Sequence, residues 1–305
     1  MIEPVDIVWV DGELGSMDRS RVSLLTHTMH YGFGVFDGLR SYRQDSGDVM
    51  LFRALEHMER VVRSAEGISI PVAYDADALV EAAQAVLRAN ELDDAYVRPL
   101  VYVGEPNIIF SHWLNSVHVA MIAFPWTGYS DRNRERGSSA KIAPWPRPKA
   151  LADLYKFKAC GHYLLNVTAF SEAQRSGFGQ AIFVDEDGAV CEATGENVFV
   201  VKDGAVATPP SSRSILPGIT RDTVLTLARD LGHEAVERDL VVDDLLGADE
   251  VFTTGTASEL LPLPKIEDRV IGDGTMGPVT AAIQQRFSDA VRGREPAYAD
   301  WLTKV

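Results

Sequence analysis

The most apolar run in this chain, Val119-Ala120-Met121-Ile122-Ala123-Phe124, is only as long as a single strand. A helix that crosses a bilayer needs about 20 apolar residues in succession, so this run predicts a buried strand and excludes a membrane span here. A second β-rich run, Tyr96 to Val103, precedes it. Val8-Trp9-Val10-Asp11-Gly12-Glu13-Leu14 reads as a hairpin, because Asp-Gly tolerates the positive φ angles of a two-residue turn. Tyr31 to Tyr42 is punctuated by glycine and then strand-like. From Arg53 to Glu66, Leu55, Met58, Val61, Val62 and Ala65 recur at helical spacing, which predicts a helix with those residues facing the core. A second helix is predicted from about Asp77 to Asn90. The first half is therefore expected to be α+β with an antiparallel sheet.

The composition then changes. Asp131 to Arg136 is charged, and Pro144-Trp145-Pro146-Arg147-Pro148 is too proline-rich for a helix or an interior strand. With 305 residues, two domains are expected. They are placed at 1–125 (a smaller α/β domain) and 138–305 (a larger one), with an interdomain linker at 126–137. The second half predicts a helix from about Lys158 to Ser176, strands at Gln180–Val184, Asn197–Val201 and Ala205–Ala207, and turns at Asp187-Gly188 and Asp203-Gly204. Leu216-Pro217-Gly218-Ile219-Thr220 opens a helix to about Leu231. Glu250–Thr253 reads as a strand that runs into Thr254-Gly255-Thr256-Ala257, and a last helix spans about Val279–Val291. A net charge of −15 argues against nucleic acid or an anionic membrane as a partner. The N-terminus lacks the basic and apolar regions of a signal peptide, and Cys160 and Cys191 form no CxxC, so a reduced, cytoplasmic protein is expected.

Seven lysines make the search for a reactive amine short. Lys202 and Lys304 sit in a turn and a tail, and Lys141, Lys149 and Lys265 lie in or beside proline-containing loops. Lys156 and Lys158 remain. Lys158 follows aromatic Tyr155 and Phe157 and precedes small residues and Tyr163, an approach suited to covalent chemistry on a carbonyl. Downstream, Glu192 sets a carboxylate among small residues. A lysine that forms a Schiff base and a carboxylate that pairs with a pyridine nitrogen are the main requirements of a pyridoxal phosphate (PLP) enzyme. Pro217-Gly218-Ile219-Thr220 and Gly255-Thr256-Ala257 offer backbone N–H groups and hydroxyls for a phosphate. Each alone reads as an ordinary helix start or loop; together, after the lysine and carboxylate, they point to an anion site. Arg60 alone reads as a solvated helical arginine. His27 and His30 have no accompanying ligand cluster, so no metal site is expected.

Eight motifs occur in register: His30-Tyr31-Gly32-x-x-Val35-Phe36-Asp37-Gly38-x-Arg40, Glu56-His57-Met58-x-Arg60, Tyr96-Val97-Arg98-Pro99-Leu100, Phe124-Pro125-Trp126, Lys158-Ala159-x-Gly161-x-Tyr163-Leu164, Glu192-x-x-Gly195-Glu196-Asn197, Leu216-Pro217-Gly218-Ile219-Thr220-Arg221-Asp222 and Gly255-Thr256-Ala257. In these the chain resembles the branched-chain amino-acid aminotransferases of PLP class IV. The resemblance implies a two-domain α/β enzyme of fold type IV, similar to D-amino-acid aminotransferase, with a barrel-like second domain and PLP in the interdomain cleft. It implies that Lys158 attaches PLP, Glu192 pairs with the pyridine nitrogen, and Tyr163 bonds the ring's phenolic oxygen. Arg60, Ile219, Thr220 and Thr256 would hold the phosphate. Phe36, Gly38, Tyr96, Trp126, Tyr129 and Tyr163 would line the substrate side, with Tyr31 reaching in from a neighbouring subunit of a homodimer. Thr256 and Ala257 would face the α-carboxylate, and Arg98 the side-chain carboxylate of glutamate. The implied reaction exchanges an amino group between a branched-chain L-amino acid and 2-oxoglutarate. D-amino-acid aminotransferase and aminodeoxychorismate lyase share the fold and stand as alternatives, as does a specialised enzyme for an unusual hydrophobic amino acid. Three departures from the family pattern bear on substrate choice: Cys160 and His162 after the lysine, a bulky Glu105–Trp113 loop, and Asp37 where glutamate is usual.

Overall fold

A computed structural model describes residues 5–126 and 136–305. Two compact units emerge: one from residues 1–127, 157–163 and 290–305, the other from 128–156 and 164–289. The expected second domain at 138–305 is continuous in sequence; in the structure, two of its segments pack with the first unit instead. Leu302–Lys304 pairs antiparallel with Val49–Phe52, and Ala159 bridges Val35.

The first unit carries an eight-stranded sheet. Its long central strands, Ala95–Val103 and Val117–Pro125, pair antiparallel along their whole length, as the two apolar runs predict. Ile7–Val10 and Glu13–Ser16 form the expected hairpin, with Asp11 at φ 50° and Gly12 at φ 96°. Two successive positive φ angles define a two-residue turn that few residues other than glycine, asparagine and aspartate tolerate. Helices Ala54–Gly67 and Ala76–Ala89 cover one face, and the Asp75 carboxylate caps the second by accepting from Ala78 N at 2.9 Å. The helical spacing is correct, and Met58, Val61 and Ala65 face inward as it predicts, but Leu55 does not and polar residues share the buried face. Leu55 is 43% exposed, whereas His57, Arg60 and Ser64 are buried beside Met58, Val61 and Ala65. A buried polar group is tolerated where hydrogen bonds replace water, and that replacement marks the site.

The second unit carries a ten-stranded sheet of mixed direction. Asn197–Lys202 sits centrally, antiparallel to Val190–Ala193, Ala205–Thr208 and Glu250–Gly255. Ser139–Ile142 runs parallel to Gln180–Val184. The Asp203-Gly204 turn again has two positive φ angles, 50° and 79°. Helix Ile219–Asp230 starts where Pro217-Gly218 predicts. The helix expected from Lys158 begins later, at Tyr163, after a single 3-10 turn at Cys160–His162. Lys158 instead lies outside any helix, spanned by the Ala159 N–H donating to the Phe157 carbonyl at 2.9 Å: its own carbonyl accepts from Phe36 N at 3.1 Å, and its N–H donates to Ser64 Oγ at 3.1 Å. Bonding to a strand and a helix side chain replaces the helical ladder that local sequence favours. No helix among the described residues is long and apolar enough to cross a membrane.

Candidate active site

In the first unit, Lys158 Nζ lies 2.9 Å from the Tyr163 hydroxyl and 5.2 Å from the centre of the Phe36 ring. Phe36 and Tyr163 pack edge to face at 4.7 Å. Burial alone would favour the neutral amine; the Tyr163 oxygen and the Asp37 carboxylate outweigh it and hold the ammonium above lysine's ordinary range. The Arg98 guanidinium lies 4.7 Å from the Phe36 ring and 5.2 Å from the Tyr96 ring, and it donates to the Tyr96 hydroxyl at 3.2 Å. Tyr96 stacks on Phe124 at 5.4 Å and meets Trp126 at 6.3 Å. Phe36, Gly38, Tyr96, Arg98, Trp126, Lys158 and Tyr163 are thus assembled in one unit.

Gly38 is there for space. A Cβ at this position would overlap the Tyr96 phenol. Gly38→Ala is expected to displace that ring, lower stability by about 1–3 kcal/mol through overpacking, and raise KM for L-leucine. Denaturant midpoints and leucine kinetics check this; unchanged values for both would refute the close approach.

Arg60 is not a solvated arginine. Its Nε donates to Asp37 Oδ2 at 2.7 Å and its Nη2 to Oδ1 at 2.8 Å. Asp37, fully buried, also accepts from Gly38 N at 2.7 Å. His57 Nδ1 lies 2.9 Å from the same oxygen, and because a carboxylate only accepts, Nδ1 must carry the proton. Burial by itself would raise the Asp37 carboxyl, but Arg60 and His57 bring it far below the carboxylate range. Burial keeps His57 neutral by lowering its pKa.

Tyr31 stands apart. It is 43% exposed, donates to the Ile108 carbonyl at 2.6 Å, and packs on Phe110 at 5.1 Å. Tyr129 lies outside the described residues. His27 and His30 each spend Nε2 on a backbone carbonyl, of Ile109 and Leu24 respectively.

In the second unit, Glu192 is buried and oriented from both sides. Oε1 accepts from Arg147 Nη1 at 2.5 Å; Oε2 accepts from Asn197 Nδ2 at 2.9 Å and Leu216 N at 3.0 Å. Asn197 also donates to the Leu216 carbonyl at 2.9 Å, which ties the carboxylate to the segment that opens the Ile219–Asp230 helix. Ile219 and Thr220 occupy the first positions of that helix, where the dipole and backbone N–H groups favour an anion. Thr256 and Ala257 form the turn that joins Glu250–Gly255 to Glu259–Pro262. Glu196 accepts from the Thr253 hydroxyl beside that turn, and burial raises its carboxyl above the ordinary range.

The donor chemistry fits PLP. An ionised carboxylate offers about four acceptor sites, and three donors on Glu192 leave room for one ring N–H. In the first unit Lys158 supplies an amine beside a phenol; in the second, Thr220 and the helix start suit a dianionic phosphate. Residue type and spacing alone do not single out Arg147, Asn197, Asp37 and His57 for these roles, although the last three lie within the motifs quoted above. For Arg147 the signal is an arginine set among prolines in an acidic chain.

These features define an aminotransferase of fold type IV. The sequence pattern described as Amino-transferase class IV matches residues 34–266, and the chain belongs to that family. It is 39% identical over 302 residues to the branched-chain-amino-acid aminotransferase of Escherichia coli (strain K12), covering 98% of this chain and 97% of that one. The branched-chain aminotransferase of Thermoproteus uzoniensis, solved with norvaline, superposes with a TM-score of 0.92 at 36% identity, covering 99% of both chains. The branched-chain amino acid aminotransferase of Thermobaculum terrenum, solved in its PLP form, reaches 0.91 at 29% identity, covering 98% of both.

Proposed function

We propose that this chain exchanges an amino group between a branched-chain or related hydrophobic L-amino acid and 2-oxoglutarate, giving the 2-oxo acid and L-glutamate. The observation that carries this reading is Lys158 Nζ at 2.9 Å from the Tyr163 hydroxyl, bordered by Phe36. PLP is the cofactor; when bound, it supplies the electron sink that makes the substrate's Cα–H acidic. Lys158 Nζ holds the cofactor and then moves the Cα proton, positioned acid–base help worth about 10²–10⁴-fold in rate. Glu192 holds the ring nitrogen's proton in place. Arg60, Ile219, Thr220 and Thr256 bind the phosphate, and Thr256 and Ala257 the α-carboxylate. Phe36, Tyr96 and Trp126 provide apolar surface for an aliphatic side chain.

Arg98 lets glutamate share the pocket. Its Nε is buried without a partner among the described residues, which leaves donor capacity for a carboxylate. Arg98→Leu is expected to raise KM for 2-oxoglutarate roughly 10–100-fold, the worth of one charged hydrogen bond, while the leucine half-reaction changes about threefold or less. Equal losses for both substrates would remove Arg98 from this role.

A homodimer supplies Tyr31 to the partner's pocket. Supporting this are the exposed apolar side chains near it, with Leu24 at 80% and Phe110 at 82% exposure. The cytoplasm suits the free thiols of Cys160 and Cys191; burial pushes the Cys191 thiol up to about 12. The D-amino-acid and lyase alternatives are not favoured, since the relatives above are branched-chain aminotransferases. Incubation with PLP, L-leucine and 2-oxoglutarate should yield glutamate. Turnover only of D-alanine or aminodeoxychorismate would overturn the reading.

A further inference from the structure

We infer that Arg147 is a positioning residue for PLP, acting through Glu192; this rests on the PLP reading above. Arg147 is 1% exposed and its place is set by the backbone, with its N–H donating to the Val184 carbonyl at 2.8 Å. The guanidinium lies between two aromatic faces, 4.6 Å from the Tyr155 ring centre and 4.5 Å from the Phe183 ring centre. Within that slot, Nη1 donates to Glu192 Oε1 at 2.5 Å and to the Ser214 carbonyl at 2.9 Å, and Nη2 donates to Asn166 Oδ1 at 3.0 Å. All these partners belong to one compact unit.

Stability does not explain such an arrangement. Desolvating two charges is costly enough that an apolar pair of similar volume would be about as stable or more so. What an apolar pair cannot provide is a carboxylate of fixed charge and direction. Arg147 holds Oε1, while Asn197 and Leu216 N hold Oε2. The carboxylate plane is therefore fixed, and the remaining acceptor site points one way. Lysine would keep the charge and lose the planar fork.

The test is a double-mutant cycle on PLP affinity, read from the absorbance of the full chain at graded PLP. Arg147→Gln is expected to weaken PLP about 10–100-fold, the worth of a charged hydrogen bond. In a Glu192→Gln background the same substitution is expected to change affinity less than about threefold, because the group it acts through is gone. Arg147→Lys should fall between wild type and Arg147→Gln. A PLP affinity within twofold of wild type, or an equal loss in both backgrounds, overturns the inference. If Arg147→Gln does not fold, Asn166→Leu removes only the brace on Nη2. It should weaken PLP several-fold when Glu192 is present and leave affinity unchanged in the Glu192→Gln background; no change in either background overturns the inference. Failure of wild type itself to bind PLP would strike the cofactor reading instead.

Discussion

Lys158→Ala is expected to yield a folded protein that still takes up PLP but neither bonds it covalently nor transfers an amino group. Two roles vanish together, the nucleophile and the carrier of the Cα proton. The second alone is worth about 10²–10⁴-fold, so kcat/KM for L-leucine should fall by at least about 10⁴-fold. The fold should survive, because what the chain uses to hold this segment is backbone: the Lys158 carbonyl to Phe36 N and the Lys158 N–H to Ser64 Oγ, both at 3.1 Å. Borohydride reduction followed by peptide mapping should place PLP on Lys158 in wild type and nowhere in the variant. Attachment to Lys156 in wild type, or a visible-band response to leucine in the variant, would remove Lys158 from the chemistry.

Asp37→Asn should be the most destabilising of the variants considered. It converts an acceptor of four N–H donors, from Gly38, His57 and Arg60, into a group with its own N–H facing the Arg60 fork. Breaking a buried ion pair in this way typically costs about 3–5 kcal/mol. Arg60 would lose its orientation as well, so PLP affinity should fall with stability. The pH dependence has a definite sign. The folded Asp37 carboxyl lies far below its unfolded value, so its contribution is complete above about pH 4 and declines steadily as pH falls from there toward the folded value. His57 is also lowered on folding, so the unfolded chain takes up a proton below about pH 6.5 that the folded chain refuses. Both make the protein lose stability on acidification. The gap between wild type and Asp37→Asn, measured by urea unfolding, should narrow below about pH 4. A gap that stays constant from pH 7 to pH 3 would contradict this account.

Local pattern carries a reading far where the physics is local. Asp-Gly turns at residues 11–12 and 203–204 require positive φ, and both form. The two apolar or β-rich runs become the paired central strands because apolar composition over only a strand's length leaves little choice. The helix at Ile219 follows from a proline and a glycine just ahead of it. Periodicity fails where charge is buried. It places Leu55 inside and leaves Arg60 in solvent, although a guanidinium with a carboxylate partner can be buried and a leucine at a helix edge can be exposed. The helix drawn from Lys158 fails for a related reason. Its backbone bonds reach Phe36 and Ser64, which are distant in sequence, and no local propensity records them.

From residue types and spacing alone came the amine, the carboxylate and the two turns to which the proposed function assigns its chemistry, because each is a chemical group with few substitutes. Only the folded chain decided how those groups are held. Arg147 meets Glu192 across 45 residues, and Arg60 meets Asp37 across 23. Such pairs depend on where strands and helices bring their side chains together in three dimensions. A linear sequence names the charged partners but does not say which of them are removed from water together.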